Sequence, residues 1–321
     1  MRRITLRTTS LQTSQLGFGC AGLTALNDRG KAIALLEQAL ELGITHFDSA
    51  PAYGFGQSEG MLGEFLSGKR DRVTVTTKFG LQINPAAAKH ARLLSFARRT
   101  AHALPMLRKL GKRAAGSLVQ GGVFSPADAQ ASLEKSLVTL RTDHVDLFLL
   151  HEANRADAQR EDLLAFLDAQ AARGTIRHYG VAGGFHRLGD DLRTFTASHR
   201  VFQFDAGPGG AHVAQLAGSA ERGLILFGVI GMLAWLLGAA RIDEARTREW
   251  SESLGEDLAD AAALRRLLLH SAAASVNDQG IILLGTRSPQ HLRENVLALD
   301  SPPPPAETLT RFNDYVRRVL T

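Results

Sequence analysis

Eight short runs of apolar and β-branched residues, spaced by stretches of helical character, set the narrowest limit on what this chain can fold into. They are LGFGC (16–20), ITHFDSA (44–50), VTVTTK (73–78), VDLFLLH (145–151), TIRHYGVA (175–182), VFQFDA (201–206), LILFGVI (224–230) and IILLG (281–285). A nearly continuous apolar run suits a strand covered on both faces, as in a parallel sheet. Helix-like segments lie between most of the runs. KAIALLEQALELG ends at Gly43, and SPADAQASLEKSLVTLR opens at Ser125 with Pro126 in its first turn. Eightfold alternation predicts an α/β fold, a (β/α)8 TIM barrel whose site groups gather at the C-terminal strand ends. RITLR and LQTSQL at the start read as a β-hairpin plugging the opposite end. AETLTRFNDYVRRVL, after SPPPP (301–305), reads as a tail helix within 301–321. Residues 1–321 are expected to form a single domain.

Charge is unevenly placed. The formal net charge is +5, yet residues 81–125 carry eight Lys or Arg and no Asp or Glu, leaving 29 basic against 32 acidic residues elsewhere. The basic character therefore belongs to an insertion after the third strand, read as one or two helices over the site mouth, and argues against a nucleic-acid partner. The one cysteine, Cys20, allows no internal disulfide and reads as a small buried hydrophobe. No apolar signal core follows MRRITLRTTSLQ, so a cytoplasmic location is expected. Seventeen uncharged residues, LILFGVIGMLAWLLGAA (224–240), approach the length of a membrane helix. Their three glycines and their place at the seventh strand favour a buried strand followed by an apolar site loop, with no integral membrane span.

Three of the runs stop at, or lead into, polar groups: Asp48 and Tyr53 in FDSAPAYG, Lys78 in VTVTTKFG and His151 in VDLFLLHE. Singly they read as an N-cap, a rim aromatic, a surface charge and a core histidine. Jointly, at three strand ends, they supply proton chemistry. A tyrosine hydroxyl ionises near pH 10; an ammonium beside it lowers that value, and a carboxylate behind the lysine holds the ammonium in place. A histidine at the mouth can hydrogen-bond a carbonyl oxygen on which charge develops. None of the four carries a hydride, so a redox reaction here needs a cofactor. Glu152 reads as a loop carboxylate behind His151. No ligand pair stands at the spacing of a metal motif, and no metal is expected.

LGFGCAGL, GITHFDSAPAYGFGQSEGMLGEFL, VTVTTKFG, SLEKSLVTLRTDHVDLFLLHE, GTIRHYGVA and GTRSPQHLRENVLAL together make the chain resemble the aldo-keto reductases over nearly its whole length. The run DSAPAYGFGQSEGMLG is most similar to the aldose and galactose dehydrogenase-like branches. The resemblance implies a barrel that binds NADPH, or NADH, and reduces a carbonyl or oxidises a sugar-like hydroxyl. Its catalytic tetrad falls on Asp48, Tyr53, Lys78 and His151, with Tyr53 as proton donor. It places Gly285, Thr286, Arg287, Gln290, His291 and Asn295 at the adenosine end of the cofactor. Arg287 would be the partner of a 2′-phosphate, because a guanidinium fork matches phosphate oxygens. Gln203 and Phe227 fall at the nicotinamide. Two departures imply a changed grip: Ala182 and Gly183 stand where the family has Ser-Asn, and VIGMLAW (229–235) stands where it has Ser-Pro-Leu. The alternative is a nucleotide-binding regulatory barrel with little turnover.

Overall fold

The computed structural model describes residues 1–83, 119–120, 122–216 and 221–320. Strands β1 (Arg3–Thr5) and β2 (Gln12–Ser14) form an antiparallel hairpin. The barrel strands are β3 (Leu16–Gly19), β4 (His46–Asp48) and β5 (Thr74–Phe79), then β8 (Val145–His151), β9 (Ile176–Ala182), β10 (Val201–Asp205), β11 (Gly223–Phe227) and β12 (Ile281–Leu284). They close a parallel ring in the order β10-β11-β12-β3-β4-β5-β8-β9. Between β5 and β8, the two-residue strands β6 (Gln82–Ile83) and β7 (Val119–Gln120) pair antiparallel at the base of the basic insertion. Residues 84–118 of that insertion, on which its helical reading falls, lie outside the described residues.

Each predicted strand is present, and the ends of the helices follow from local chemistry. Ser125 Oγ accepts a hydrogen bond from Asp128 N and opens Pro126–Leu140. Ser288 Oγ accepts from His291 N and opens Pro289–Asp300. Both caps satisfy backbone donors that a helix start leaves unpaired, with proline next in line. Asp28 caps Arg29–Glu41 in the same way. The tail helix runs over Ala306–Leu320.

Strand alternation divides the apolar residues into two cores. Phe18, Phe47, Val75, Phe79, Phe148 and Phe204 point outward and pack with the surrounding helices. Leu147, Leu149, Ile225, Ile281 and Leu283 fill part of the barrel interior, where Ile4, Leu6 and Leu11 of the hairpin segment meet them. The hairpin thus covers the N-terminal opening, with Arg7 N donating to Gln279 O just ahead of β12. The C-terminal ends are left for chemistry.

The apolar run 224–240 departs from its reading as a strand plus loop. Strand β11 ends at Phe227, and after a turn the helix Met232–Ile242 takes up most of the remainder, with Trp235 73% exposed. Composition alone does not separate a short buried strand from an apolar helix, because both lack charge. Among the described residues no helix is long and apolar enough to cross a membrane.

Helix Gln57–Phe65, which follows the Tyr53 loop, packs tightly on Pro126–Leu140. A Cβ on Gly63 would stand 2.3 Å from Thr139 O, whereas one on Gly60 would meet nothing within 4 Å. Gly63→Ala is therefore expected to destabilise by about 1–3 kcal/mol through overpacking. Gly60→Ala should stabilise by roughly 0.5–1 kcal/mol, because alanine loses less entropy in a helix. Urea unfolding of both variants checks the pair, and equal effects would refute the packing argument.

Candidate active site

At the C-terminal ends of the strands lies a cavity of about 440 Å³ lined by Asp48, Tyr53, Lys78, His151, Gln203, Phe227 and Gly285. Three neighbouring elements bring the first three together. Asp48 ends β4, and Lys78 is the penultimate residue of β5, where Thr76 and Lys78 face inward while Thr77 turns out to donate to Glu59 on helix Gln57–Phe65. Tyr53 sits on the loop after β4. That loop reverses sharply through Gly54, Phe55 and Gly56, all with left-handed backbone (φ 57°, 59° and 84°). The glycines meet this conformation at little cost, while Phe55 holds strain of the kind that gathers at functional sites.

Lys78 Nζ donates to Asp48 Oδ1 at 2.6 Å, to Ser49 O at 3.0 Å and to Tyr53 Oη at 3.3 Å. Its side chain is 1% exposed. The second Asp48 oxygen accepts from Gln203 Nε2 at 3.0 Å. The His151 ring stands edge-on to Tyr53, with centroids 5.9 Å apart. His151, Ala182 and Gln203 are register partners across β8, β9 and β10, which sets the histidine and the amide on one wall.

Burial dominates the titrations. It is the largest influence on Lys78 and works to lower its pKa, but Asp48 and Tyr53, through charge and hydrogen bonds, together outweigh it and the net shift is upward. Asp48 is raised by burial against the pull of Lys78. The expectation that Lys78 lowers the Tyr53 pKa is met only in part: burial raises it, Lys78 opposes, and the net direction is upward. Tyr53 accordingly keeps its proton at neutral pH. His151 is pushed down to about 3, by burial first and then by Lys78, so it acts as a neutral imidazole. Cys20 is fully buried, and burial pushes its thiol up, away from thiolate chemistry.

The residues that the resemblance assigns to the adenosine end are more dispersed. Gly285 lines the main cavity, and Arg287 lines a separate groove with Lys31, Pro289 and Arg293. Thr286 Oγ1 accepts from Ser288 N. Gln290 donates along its own helix to Glu294, and His291 is exposed. Asn295 is buried, and its Oδ1 has no partner among the described residues. The VIGMLAW segment reaches the cavity through Ile230 and Gly231, while Met232 to Trp235 belong to the helix beyond. Glu152, read as a loop carboxylate, lines the cavity too. The Gln203 to Asp48 bond has no sequence signal, since 155 positions separate the partners.

These residues fit a nicotinamide dinucleotide. Gln203 Oε1 and Asn295 Oδ1 are buried acceptors without a partner among the described residues, Gly285 has open space where a side chain would be, and Arg287 is exposed. A closed eight-stranded parallel barrel with a lysine, an aspartate and a tyrosine joined at one mouth defines a class of barrel with proton-handling groups at its strand ends. A model described as the Aldo/keto reductase family matches residues 15–188, more than half of the chain, and the chain belongs to that family. It is 27% identical to pyridoxal 4-dehydrogenase of Microbacterium luteolum over 330 residues, covering 90% of each protein. It is 32% identical to D-threo-aldose 1-dehydrogenase of a Pseudomonas species over 173 residues, 52% of this chain and 49% of that one. The chain thus spans about half the length of several curated relatives that it matches. The holo form of aldo-keto reductase AKR11C1 from Bacillus halodurans shares the fold, with a TM-score of 0.72 at 21% identity over 98% of this chain and 96% of that one.

His46, below Lys78 in the barrel, is also pushed down to about 3, by burial and then by Lys78. A histidine held neutral in the fold is protonated first in the unfolded chain, so its contribution to stability is full above about pH 6.5 and drains away as pH falls toward 3. The stability gap between wild type and His46→Gln should therefore narrow between pH 7 and pH 4. Urea midpoints measured across that range check it, and a constant gap would refute the assignment.

Proposed function

We propose that this chain is an NAD(P)H-dependent aldo-keto reductase acting on an aldehyde or ketone, or on an aldose-like hydroxyl in reverse. The observation that carries the reading is Lys78 Nζ held between Asp48 and Tyr53 at the floor of a cavity that also contains His151 and Gln203. The barrel, the insertion 81–125 and the tail 301–321 are taken to form one domain. The small-molecule substrate enters at the C-terminal face. Names among the relatives, pyridoxal 4-dehydrogenase and D-threo-aldose 1-dehydrogenase, point to aldehyde or sugar-like substrates.

When bound, a nicotinamide cofactor would supply the hydride, which none of these side chains can carry. Tyr53 Oη gives its proton to the carbonyl oxygen as negative charge develops there, and the phenolate left behind is stabilised by Lys78 Nζ at 3.3 Å. Asp48 keeps that ammonium charged and aimed. The neutral His151 imidazole orients the carbonyl oxygen with a hydrogen bond and takes no proton in the cycle. Gln203 and Phe227, which line the cavity, would hold the nicotinamide. Gly285, Thr286, Arg287, Gln290, His291 and Asn295 would serve the adenosine end, with Arg287 as the partner of the 2′-phosphate of NADPH.

Tyr53→Phe should lower kcat by about 10²-fold to 10⁴-fold, the usual contribution of a positioned acid. NADPH affinity should stay within about threefold of wild type, because the lost hydroxyl acts in the chemical step. Stopped-flow turnover with fluorescence titration checks both, and unchanged turnover would sink the reading. Arg287→Ala should weaken NADPH binding by roughly tenfold or more and leave NADH nearly unaffected, since a charge-assisted contact to phosphate is lost. Parallel titrations decide it; equal losses for the two dinucleotides would remove the phosphate role.

A further inference from the structure

One wall of the cavity, at the ends of β8, β9 and β10, presents acceptors. Asp48, paired with an ammonium, accepts only, so the Gln203 amide must turn its Nε2 toward it at 3.0 Å. That fixes Gln203 Oε1 on the other side, buried and without a partner among the described residues. Glu152 supplies the second acceptor. Its backbone is left-handed (φ 62°), and its N–H donates to Ala182 O at 2.6 Å. This turn carries the carboxylate across the end of β9, where Oε1 accepts from Gly184 N at 3.2 Å. Oε2 stands 3.5 Å from Arg187 Nη1, a largely exposed partner.

The glycine at 183 makes room for the carboxylate, since a Cβ there would come within 3.1 Å of Glu152 Oε2. Ala182 has no polar side chain, and Gly183 N is spent on Gln203 O. Apart from the His151 ring, which stands against Tyr53, the side chains of the wall therefore join a neutral acceptor to an anionic one. A group matched to it has N–H donors and no negative charge, which describes a primary carboxamide and excludes a carboxylate.

We propose that Glu152 recognises the carboxamide NH2 of nicotinamide and rejects the corresponding acid. This rests on the dinucleotide reading above. It gives Glu152 a binding role that its place in a loop does not reveal, and it accounts for Ala182 and Gly183 as the space that the carboxylate occupies.

Calorimetric titration of wild type, Glu152→Gln and Glu152→Asn with NADP+ and with nicotinic acid adenine dinucleotide phosphate tests it. Both replacements are uncharged, and asparagine tolerates the left-handed backbone. The readout is the ratio of two affinities, which a partly misfolded fraction does not alter. Wild type should prefer NADP+ by roughly tenfold or more, because the acid would face a like charge. In both variants the preference should fall toward unity, chiefly through tighter binding of the acid analogue. NADP+ binding with the wild-type ratio kept in both variants, or with no preference in wild type, overturns the role of Glu152 and leaves the dinucleotide reading standing. Binding of neither dinucleotide to wild type overturns both.

Discussion

The buried ion pair of Lys78 and Asp48 is the interaction on which the rest of the site depends. An ammonium taken out of water costs several kcal/mol, which one carboxylate contact offsets only when the remaining donors and acceptors are also satisfied. Here the three donors of Lys78 go to Asp48, Ser49 and Tyr53, and the second Asp48 oxygen goes to Gln203. The last bond has an architectural meaning. In the ring order β10-β11-β12-β3-β4-β5-β8-β9, β10 and β4 stand opposite each other. The amide therefore reaches across the barrel, and the same contact that satisfies the charge forms the floor of the cavity.

Beneath that floor the interior is built to fill space without adding charge. His46 Nδ1 lies 2.9 Å from Thr74 Oγ1 and its Nε2 lies 3.2 Å from Thr76 Oγ1, so both ring nitrogens are occupied by hydroxyls that can donate or accept. Gly17 opposite has no side chain to compete, since a Cβ there would stand 2.9 Å from His46 Cδ2. A protonated His46 would repel Lys78. The neutral ring therefore supports the ion pair by leaving its charge balance alone, and the apolar residues of the hairpin segment close the end below.

Much of this was legible in the chain because a buried strand that ends in a charged or polar residue has few other uses. The runs ending at Asp48, Lys78 and His151 gave the barrel and three parts of the candidate site at once. What stayed hidden depends on geometry that spacing does not encode. The path of Glu152 follows from one positive φ at a residue that is not glycine. The upward net shift of Tyr53 follows from how deeply the loop seats it. The helix Met232–Ile242 was masked by composition, as its apolar residues continue those of β11 without a break.

The contacts of Lys78 differ in length, and the difference suits the proposed reaction. Asp48 and Lys78 are fixed by adjacent strands and meet at 2.6 Å, while Tyr53 stands on a turn outside the strands and meets the lysine at 3.3 Å. An ammonium attracts the phenolate more strongly than the neutral hydroxyl, so its contact with Oη favours the state in which the proton has left. The longer contact leaves the interaction to strengthen as the proton departs and charge collects on Oη. Rigid placement of the ion pair on strands and a looser seat for the proton donor thus divide the work. The framework holds the field constant, and the turn through Gly54, Phe55 and Gly56 brings the hydroxyl to it.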